Sequence, residues 1–114
     1  MGRIFVDHLD GGYVYACVKC GTHLTRVDDL ISKAFRGRTG KAFLFDSVIN
    51  YVPGPAENRL LITGLHTIAD VYCCKCQHNI GWMYLEAFEE TQKYKVGKYI
   101  LEKAHITKVN DTTS

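Results

Sequence analysis

Several features that would assign a sequence to a large protein class are missing here. No apolar run approaches the roughly 20 residues of a membrane-spanning helix. The first residues, Met1–Val6, form too short an apolar stretch to predict a secretory signal, and Asp7 interrupts it. There is no Ser/Gly-rich linker and no low-complexity tract. From 114 residues of this kind we expect one domain of an intracellular protein without membrane association.

A large excess of one charge is missing as well. The chain has 14 Lys and Arg against 12 Asp and Glu, which gives a formal charge of +2. General nucleic-acid binders normally carry a large basic excess, so we do not expect nucleic acid as the main partner. No G-x-S-x-G motif, phosphate-binding loop or paired acid and base can be identified. The sequence therefore predicts no enzyme activity.

Two cysteine pairs are the strongest signal that is present. Cys17-Val18-Lys19-Cys20 and Cys73-Cys74-Lys75-Cys76 are both C-x2-C turns, with 52 residues between them. Two such turns can bring four thiolates around one ion, and Zn²⁺ is the metal that best fits four soft ligands in tetrahedral geometry. The spacing therefore predicts one Zn²⁺ per chain, bound by Cys17, Cys20, Cys73 and Cys76. Because a domain of this size has a modest core, we expect the metal to contribute to folding.

Other uses of these cysteines fit the sequence less well. Two disulfides would need an oxidising compartment, and the cysteine count of five is odd. A redox C-x-x-C site would explain one pair and leave the other without a role. Cys74, inside the second pair, is expected to point away from the metal as a structural thiol. His23 is a candidate substitute ligand, but four cysteines already complete the shell.

Runs of β-branched and aromatic residues predict a mostly β fold. Pro53-Gly54-Pro55 should end a strand, because proline cannot continue a ladder. Val27–Phe35 is a candidate short helix, and Glu89–Lys95 is a helical turn or a loop. The domain organisation would be an N-terminal extension over residues 1–12, a zinc-binding domain over 13–109 and a flexible tail over 110–114. The expected strands are Tyr13–Val18, Ala42–Phe45, Ser47–Val52, Leu60–Thr63, Thr67–Tyr72, Ile80–Glu86 and Tyr99–Ile106.

Residues outside the cysteine pairs carry a family resemblance. The four cysteines and the residues given at the end of this paragraph, with the gaps between them, resemble the motif of the Yippee-like family from Cys17 to Glu102. The segments Leu61–Asp70 and Gln92–Lys95 are also similar to segments of that family. Besides the cysteines, the matching residues are Gly40, Leu44, Asn50, Gly64, Gly81-Trp82-Met83-Tyr84, Lys95 and Glu102.

The resemblance implies a fold and a broad role. The fold would be the β-tent, in which two antiparallel sheets meet at one zinc held by the four cysteines, with one or two short helices. Yippee-like proteins have no established enzymatic reaction, and they are linked to the nucleus, to mitotic structures and to a ubiquitin-ligase assembly. The resemblance therefore implies a regulatory component of a larger nuclear or cytoplasmic assembly, with a protein partner. The alternative is an enzyme, because zinc-containing methionine sulfoxide reductases share the scaffold.

The same resemblance indicates a candidate ligand site. In cereblon, which shares the β-tent, a stretch similar to Gly81-Trp82-Met83-Tyr84 contributes to an aromatic pocket. Within a strand, Trp82 and Tyr84 lie on one face and Met83 on the other. His66 or Ile68 would face the pocket from the preceding strand. We therefore predict that Trp82, Tyr84, His66 and Ile68 bind a partner, a small molecule or a modified peptide. The alternative is that both rings fill the core between the sheets.

A short basic cluster is a further candidate. Phe35 lies in sequence among four basic residues, Lys33, Arg36, Arg38 and Lys41. An RNA- or DNA-binding module would use Arg36 and Arg38 to hold phosphate. Several aspartates lie close in sequence, so a solvated loop is the simpler interpretation.

Overall fold

The computed structural model describes residues 7, 9 and 12–110 and shows an antiparallel β protein. Every helical segment in this part of the chain is a short 3₁₀ turn, over Val27–Asp29, Glu90–Lys95 and Lys103–His105. None of these segments is long and apolar enough to cross a membrane. The strands are β1 (Tyr13–Cys17), β2 (His23–Arg26), β3 (Leu30–Gly37), β4 (Gly40–Phe45), β5 (Tyr51–Leu61), β6 (Gly64–Cys73), β7 (Asn79–Ala87), β8 (Tyr99–Glu102) and β9 (Ile106–Asn110).

The strands form two sheets, which confirms the predicted fold class. A three-stranded sheet has the order β2-β1-β9, so the first and last described strands are neighbours. A six-stranded sheet has the order β3-β4-β8-β7-β6-β5. Each sheet carries one cysteine pair, because β1 ends at Cys17 and β6 ends at Cys73.

The six-stranded sheet buries a different core on each of its faces. Successive side chains of a strand point to opposite faces, so Phe43 and Phe45 leave β4 on one side and Ala42 and Leu44 on the other. The first core lies between the two sheets, where Phe43 and Phe45 pack with Tyr15 of β1. The second core lies on the far side and is formed by Ala42, Leu44, Ile68, Tyr84 and Ile100. This second face is the one that positions the groove described below.

The short helix predicted over Val27–Phe35 is wrong. Only Val27–Asp29 is helical, as a 3₁₀ turn, and no side-chain hydrogen bond caps it. The remaining residues form β3, which pairs with β4 at the edge of the larger sheet. An edge strand that is largely exposed does not need strict apolar alternation, so its sequence gave no strand signal.

The prediction that Pro53-Gly54-Pro55 ends a strand is also wrong. β5 runs through this tripeptide, with a shift in pairing register between Pro53 and Ala56. β5 is the other edge of the six-stranded sheet, and an edge strand tolerates prolines because one side of its backbone has no neighbour to bond.

Several predicted boundaries differ from the observed ones. The strand expected over Ser47–Val52 starts only at Tyr51, and Leu60–Thr63 is the end of β5 together with a turn. Tyr99–Ile106 is divided, with β8 in one sheet and β9 in the other. The tail was predicted over residues 110–114. Asn110 belongs to β9 and pairs with Tyr13 of β1, and residues 111–114 lie outside the described residues. Most of the predicted extension over residues 1–12 lies outside them as well.

Gly81 allows β7 and β8 to approach closely. A methyl group at Gly81 would overlap the backbone carbonyl of Ile100 on β8, and a backbone atom cannot rotate away. We expect Gly81→Ala to lower the free energy of unfolding by about 3 kcal/mol or more, at the upper end for overpacking. Chemical denaturation measures this change.

Gly54→Ala is the matched control for that substitution. The new methyl group at Gly54 would meet a ring carbon of Tyr72 at 3.1 Å on the edge strand, where a side chain can yield. Its effect should stay within about 1 kcal/mol. Equal effects of the two substitutions would contradict the close-approach argument.

Candidate functional site

Two similar turns deliver the cysteines. In the first, the Gly21 N–H donates to the Cys17 carbonyl at 2.8 Å, and in the second the Gln77 N–H donates to the Cys73 carbonyl at 2.8 Å. Gly21 and Gln77, which follow the second cysteine of each pair, both have positive φ, at 76° and 60°. A residue in the left-handed conformation closes each turn, and glycine adopts this conformation without the strain that a Cβ brings.

The four predicted ligands lie together between the ends of the two sheets. The sulfur atoms of Cys17, Cys20, Cys73 and Cys76 are all within 4.8 Å of one another. The Sγ–Sγ distances are 3.6 Å for Cys17–Cys76 and 3.5 Å for Cys20–Cys73. Zn–S bonds of about 2.3 Å in a tetrahedron place sulfurs about 3.8 Å apart, whereas a disulfide needs about 2.05 Å. The four-cysteine cluster therefore fits one Zn²⁺ and is not a pair of disulfides.

Burial and hydrogen bonds shift the pKa values of Cys17, Cys20 and Cys73. Burial raises the pKa of Cys17 to about 12 and also raises the pKa of Cys73. Burial acts in the same direction on Cys20, but hydrogen bonds outweigh it and lower the pKa of Cys20 to about 6. The largest of these bonds comes from Thr22, whose hydroxyl lies 3.0 Å from the Cys20 sulfur. Several thiolates cannot share this volume without a positive ion, and zinc supplies that charge.

Cys74 and His23 lie outside the cluster. The Cys74 N–H donates to the Asn50 carbonyl at 2.9 Å, and its half-buried thiol has a pKa raised by burial. His23 is buried, and its Nδ1 accepts a bond from the Leu9 N–H at 3.1 Å. The His23 carbonyl accepts from the Asn50 side chain at 2.7 Å, so Asn50 ties β2 to the second cysteine turn.

A groove of about 770 Å³ lies on the second-core face of the six-stranded sheet. Its floor is formed by Ile68 of β6 and by Trp82 and Tyr84 of β7. Its walls come from the edge strand β3, the end of β5 and the 3₁₀ turn Glu90–Lys95. We call this feature the sheet groove.

Three of the four residues predicted for ligand binding line the sheet groove. Trp82 and Tyr84 lie on one face of β7 with their ring centroids 6.5 Å apart, whereas Met83 packs against the core between the sheets. Tyr84 is 2% exposed and Trp82 is half-buried, so Tyr84 is at once core and groove floor. Burial raises the pKa of Tyr84, and the nearby Trp82 N–H opposes that rise only in part.

His66 does not line the groove. It pairs with Ala87, beyond a register shift in β6–β7 that separates it from the Ile68–Tyr84 pair. Its ring is fully buried behind Tyr84, at a centroid distance of 5.3 Å, and its Nδ1 lies 2.8 Å from the Gly64 carbonyl oxygen. This position differs from the predicted one because the bulge places His66 past the floor of the groove.

Lys95 lines the groove but was not predicted as a site residue. Lys95 is 3% exposed, and its Nζ lies over the rings of Tyr84 and Phe35, at 5.2 and 5.4 Å from their centroids. Lys95 belongs to the Gln92–Lys95 family segment, which was the available signal, but its neighbourhood depends on the tertiary fold. Arg36 and Arg38, predicted as a separate basic patch, also line the same groove.

Comparisons with known proteins agree with this architecture. A family model described as "Yippee zinc-binding/DNA-binding /Mis18, centromere assembly" matches residues 13–114. Protein yippee-like 3 of Oryzias latipes is 57% identical over 109 residues, covering 95% of this chain and 92% of that protein. Protein yippee-like 4 of Homo sapiens is 55% identical over 96 residues, covering 84% and 76%. The crystal structure of the Mis18 "Yippee-like" domain matches with a TM-score of 0.68 at 14% identity, covering 87% of this chain and 96% of that one, and this shows the fold alone.

The cluster geometry predicts one Zn²⁺ per chain and a fold that depends on it. Cys76→Ser leaves three thiolates in the shell, so we expect loss of zinc and a large fall in melting temperature. Structural zinc is worth on the order of 10 kcal/mol in small peptides, and the two cores will reduce the dependence here. Elemental analysis and thermal melts test this. Well under one zinc per wild-type chain, or unchanged melting for Cys76→Ser, would contradict it.

Cys74→Ser provides the control within the same turn. Its sulfur is not part of the cluster, so zinc content should stay at one per chain and stability should change by about 1 kcal/mol or less. A loss of zinc in this variant would show that the turn tolerates no change, and Cys76→Ser would then say nothing about ligation.

Proposed function

The chain belongs to the Yippee-Mis18 family as a Yippee-like zinc-binding protein, and from this premise we propose that it is a recognition module without a catalytic centre. In this proposal the zinc is structural, since four cysteine ligands leave no open position for substrate. Recognition takes place in the sheet groove.

The sheet groove is the observation that carries the proposal. Its floor presents Trp82 and Tyr84, and aromatic residues of this kind dominate many binding energies because they bury a large area and keep a polar atom. Both rings stand on a strand between two neighbours, so they are held in place before a partner arrives. Such order lowers the entropy cost of binding.

We further propose that the module acts within a larger assembly in the nucleus or the cytoplasm. The matching family description names DNA binding and centromere assembly, and the second of these supports a role in a mitotic assembly. A protein partner, bound through a side chain or a modified peptide seated in the groove, fits a concavity of this size.

Blocking the groove should remove the partner without unfolding the protein. Ala34 is exposed on β3 and lines the groove, so Ala34→Trp fills it while both cores stay intact. Affinity purification from cells should lose the specific partners of the wild type. Lys33→Trp is the matched control, because Lys33 lies over Phe43 and lines no part of the groove. Retention of every partner by Ala34→Trp would refute recognition through the groove.

Trp82→Ala gives an independent readout. Truncation of a fully buried aromatic residue costs about 3–5 kcal/mol, and the half-buried Trp82 should cost less. We expect a folded, zinc-bound protein that has lost the same partners as Ala34→Trp. A folded variant that keeps all partners would remove Trp82 from the recognition surface.

The alternative function, a methionine sulfoxide reductase, lacks a suitable thiol. Such an enzyme needs an attacking cysteine outside the metal shell. Of the five cysteines of the chain, four form the cluster, and Cys74 does not line the sheet groove. We therefore propose that the protein does not catalyse this reaction.

An activity assay tests this directly. Purified protein with one zinc per chain should not reduce a methionine-R-sulfoxide peptide in the presence of dithiothreitol. Turnover that disappears in Cys74→Ser would overturn the non-enzymatic proposal. Turnover that persists in Cys74→Ser would indicate a contaminating reductase.

A further inference from the structure

We propose that the sheet groove binds a small planar carboxylate, whose anionic group is held by the ammonium of Lys95 and the indole N–H of Trp82. This inference rests on the proposed function, since it names the ligand chemistry of the same groove. It starts from two buried donors that the protein itself leaves without adequate partners.

Lys95 is a buried cation without a counter-ion. The only hydrogen bond that its ammonium makes among the described residues goes to the Thr63 hydroxyl at 3.1 Å, and no carboxylate of those residues lies within salt-bridge distance. The faces of Phe35 and Tyr84 compensate the charge only in part, since a cation–π contact is worth about 0.5–2 kcal/mol. An uncompensated buried charge is costly, and burial accordingly lowers the pKa of Lys95. An incoming anion would remove this cost.

Trp82 supplies the second donor. Its Nε1 is buried and has no described partner at good hydrogen-bond geometry, although it lies near enough to the Tyr84 hydroxyl to oppose the rise in the pKa of that group. Both donors stand beside one ring. The Lys95 ammonium lies 5.2 Å from the Tyr84 centroid, and the Trp82 ring lies 6.5 Å from it. A carboxylate has two oxygens, so it can accept from an ammonium and an N–H together.

The rest of the groove selects a planar body and a negative charge. The half-buried rings of Phe35 and Trp82 offer flat apolar surfaces on which a ligand ring can stack, whereas Tyr84 is 2% exposed and forms the floor beneath them. The two acidic lining residues are Asp70 and Glu102, and Glu102 already accepts two bonds from Thr39 at 2.9 Å. The basic lining residues outnumber them, and they are Arg36, Arg38, Arg59 and Lys95. A volume of about 770 Å³ falls within the range of small-molecule sites.

The single tryptophan allows a direct test on the zinc-loaded protein. Trp82 is the only tryptophan of the chain, so one indole N–H cross-peak in a ¹⁵N–¹H spectrum reports on the groove. Titration with 2-naphthoate at millimolar concentration should shift this peak. The neutral 2-naphthamide should bind at least about tenfold more weakly, and acetate, which lacks the ring, should not shift the peak. No shift with 2-naphthoate, or equal affinity for the amide, would overturn the proposal.

Lys95→Met distinguishes a ligand-binding lysine from a structural one. Methionine has a similar length and no charge, and replacing a poorly compensated buried charge by an apolar group is often neutral or stabilising. We expect unchanged or raised thermal stability and an affinity for 2-naphthoate lowered at least about tenfold. Unchanged affinity in a folded Lys95→Met protein would refute the role of Lys95. Loss of stability with affinity retained per folded molecule would assign Lys95 to the core.

This test can fail independently of the proposed function. Partner capture uses Ala34→Trp in cells, whereas the carboxylate assay uses purified wild-type protein and Lys95→Met. If partners are lost on blocking the groove but 2-naphthoate does not bind, the ligand inference falls and the recognition module stands. If 2-naphthoate binds but all partners are retained, recognition of partners through the groove falls and the ligand inference stands.

Discussion

The geometry of four sulfur atoms is the constraint on which the rest of the structure depends. Cys17 ends a strand of the three-stranded sheet and Cys73 ends a strand of the six-stranded sheet, and each turn that follows carries the second cysteine of the pair. One ion bound by all four therefore joins the two sheets. The core between the sheets includes Cys17 and Cys73 themselves, which makes the metal an extension of the apolar packing. Because a chain of this size has a limited core, we expect the binding of the metal to contribute to the free energy of folding.

One face of the larger sheet packs against the smaller sheet, and its other face forms the floor of the sheet groove. Phe43 and Phe45 point to the metal-anchored core, and the alternate residues Ala42 and Leu44 point to the groove side. A sheet held rigidly on one side can present an ordered concave surface on the other, since strand neighbours restrain each floor residue. The four-cysteine cluster and the proposed recognition surface are thus on opposite sides of a single layer.

The sequence predicted the features that depend on short-range spacing. Two C-x2-C turns specify a four-sulfur cluster, and the alternation along β7 places Trp82 and Tyr84 on one face with Met83 on the other. Features that depend on position within a sheet were missed. β3 was expected to be helical and β5 to stop at Pro53, because both are edge strands with weak patterns. Lys95 was not foreseen as a groove residue, since its contact with Phe35 joins segments that are distant in sequence.

The pairing of β1 with β9 has a consequence for how the domain is made. Tyr13 lies opposite Asn110, so the strand that leads into the first cysteine turn is completed only by the last strand of the domain. During synthesis β1 can pair with β2, but its second neighbour is absent until the ribosome has translated nearly the whole domain. Non-local pairing of this kind slows folding. A nascent chain therefore cannot complete the four-cysteine cluster around its first two thiols until Cys73 and Cys76 have left the ribosome.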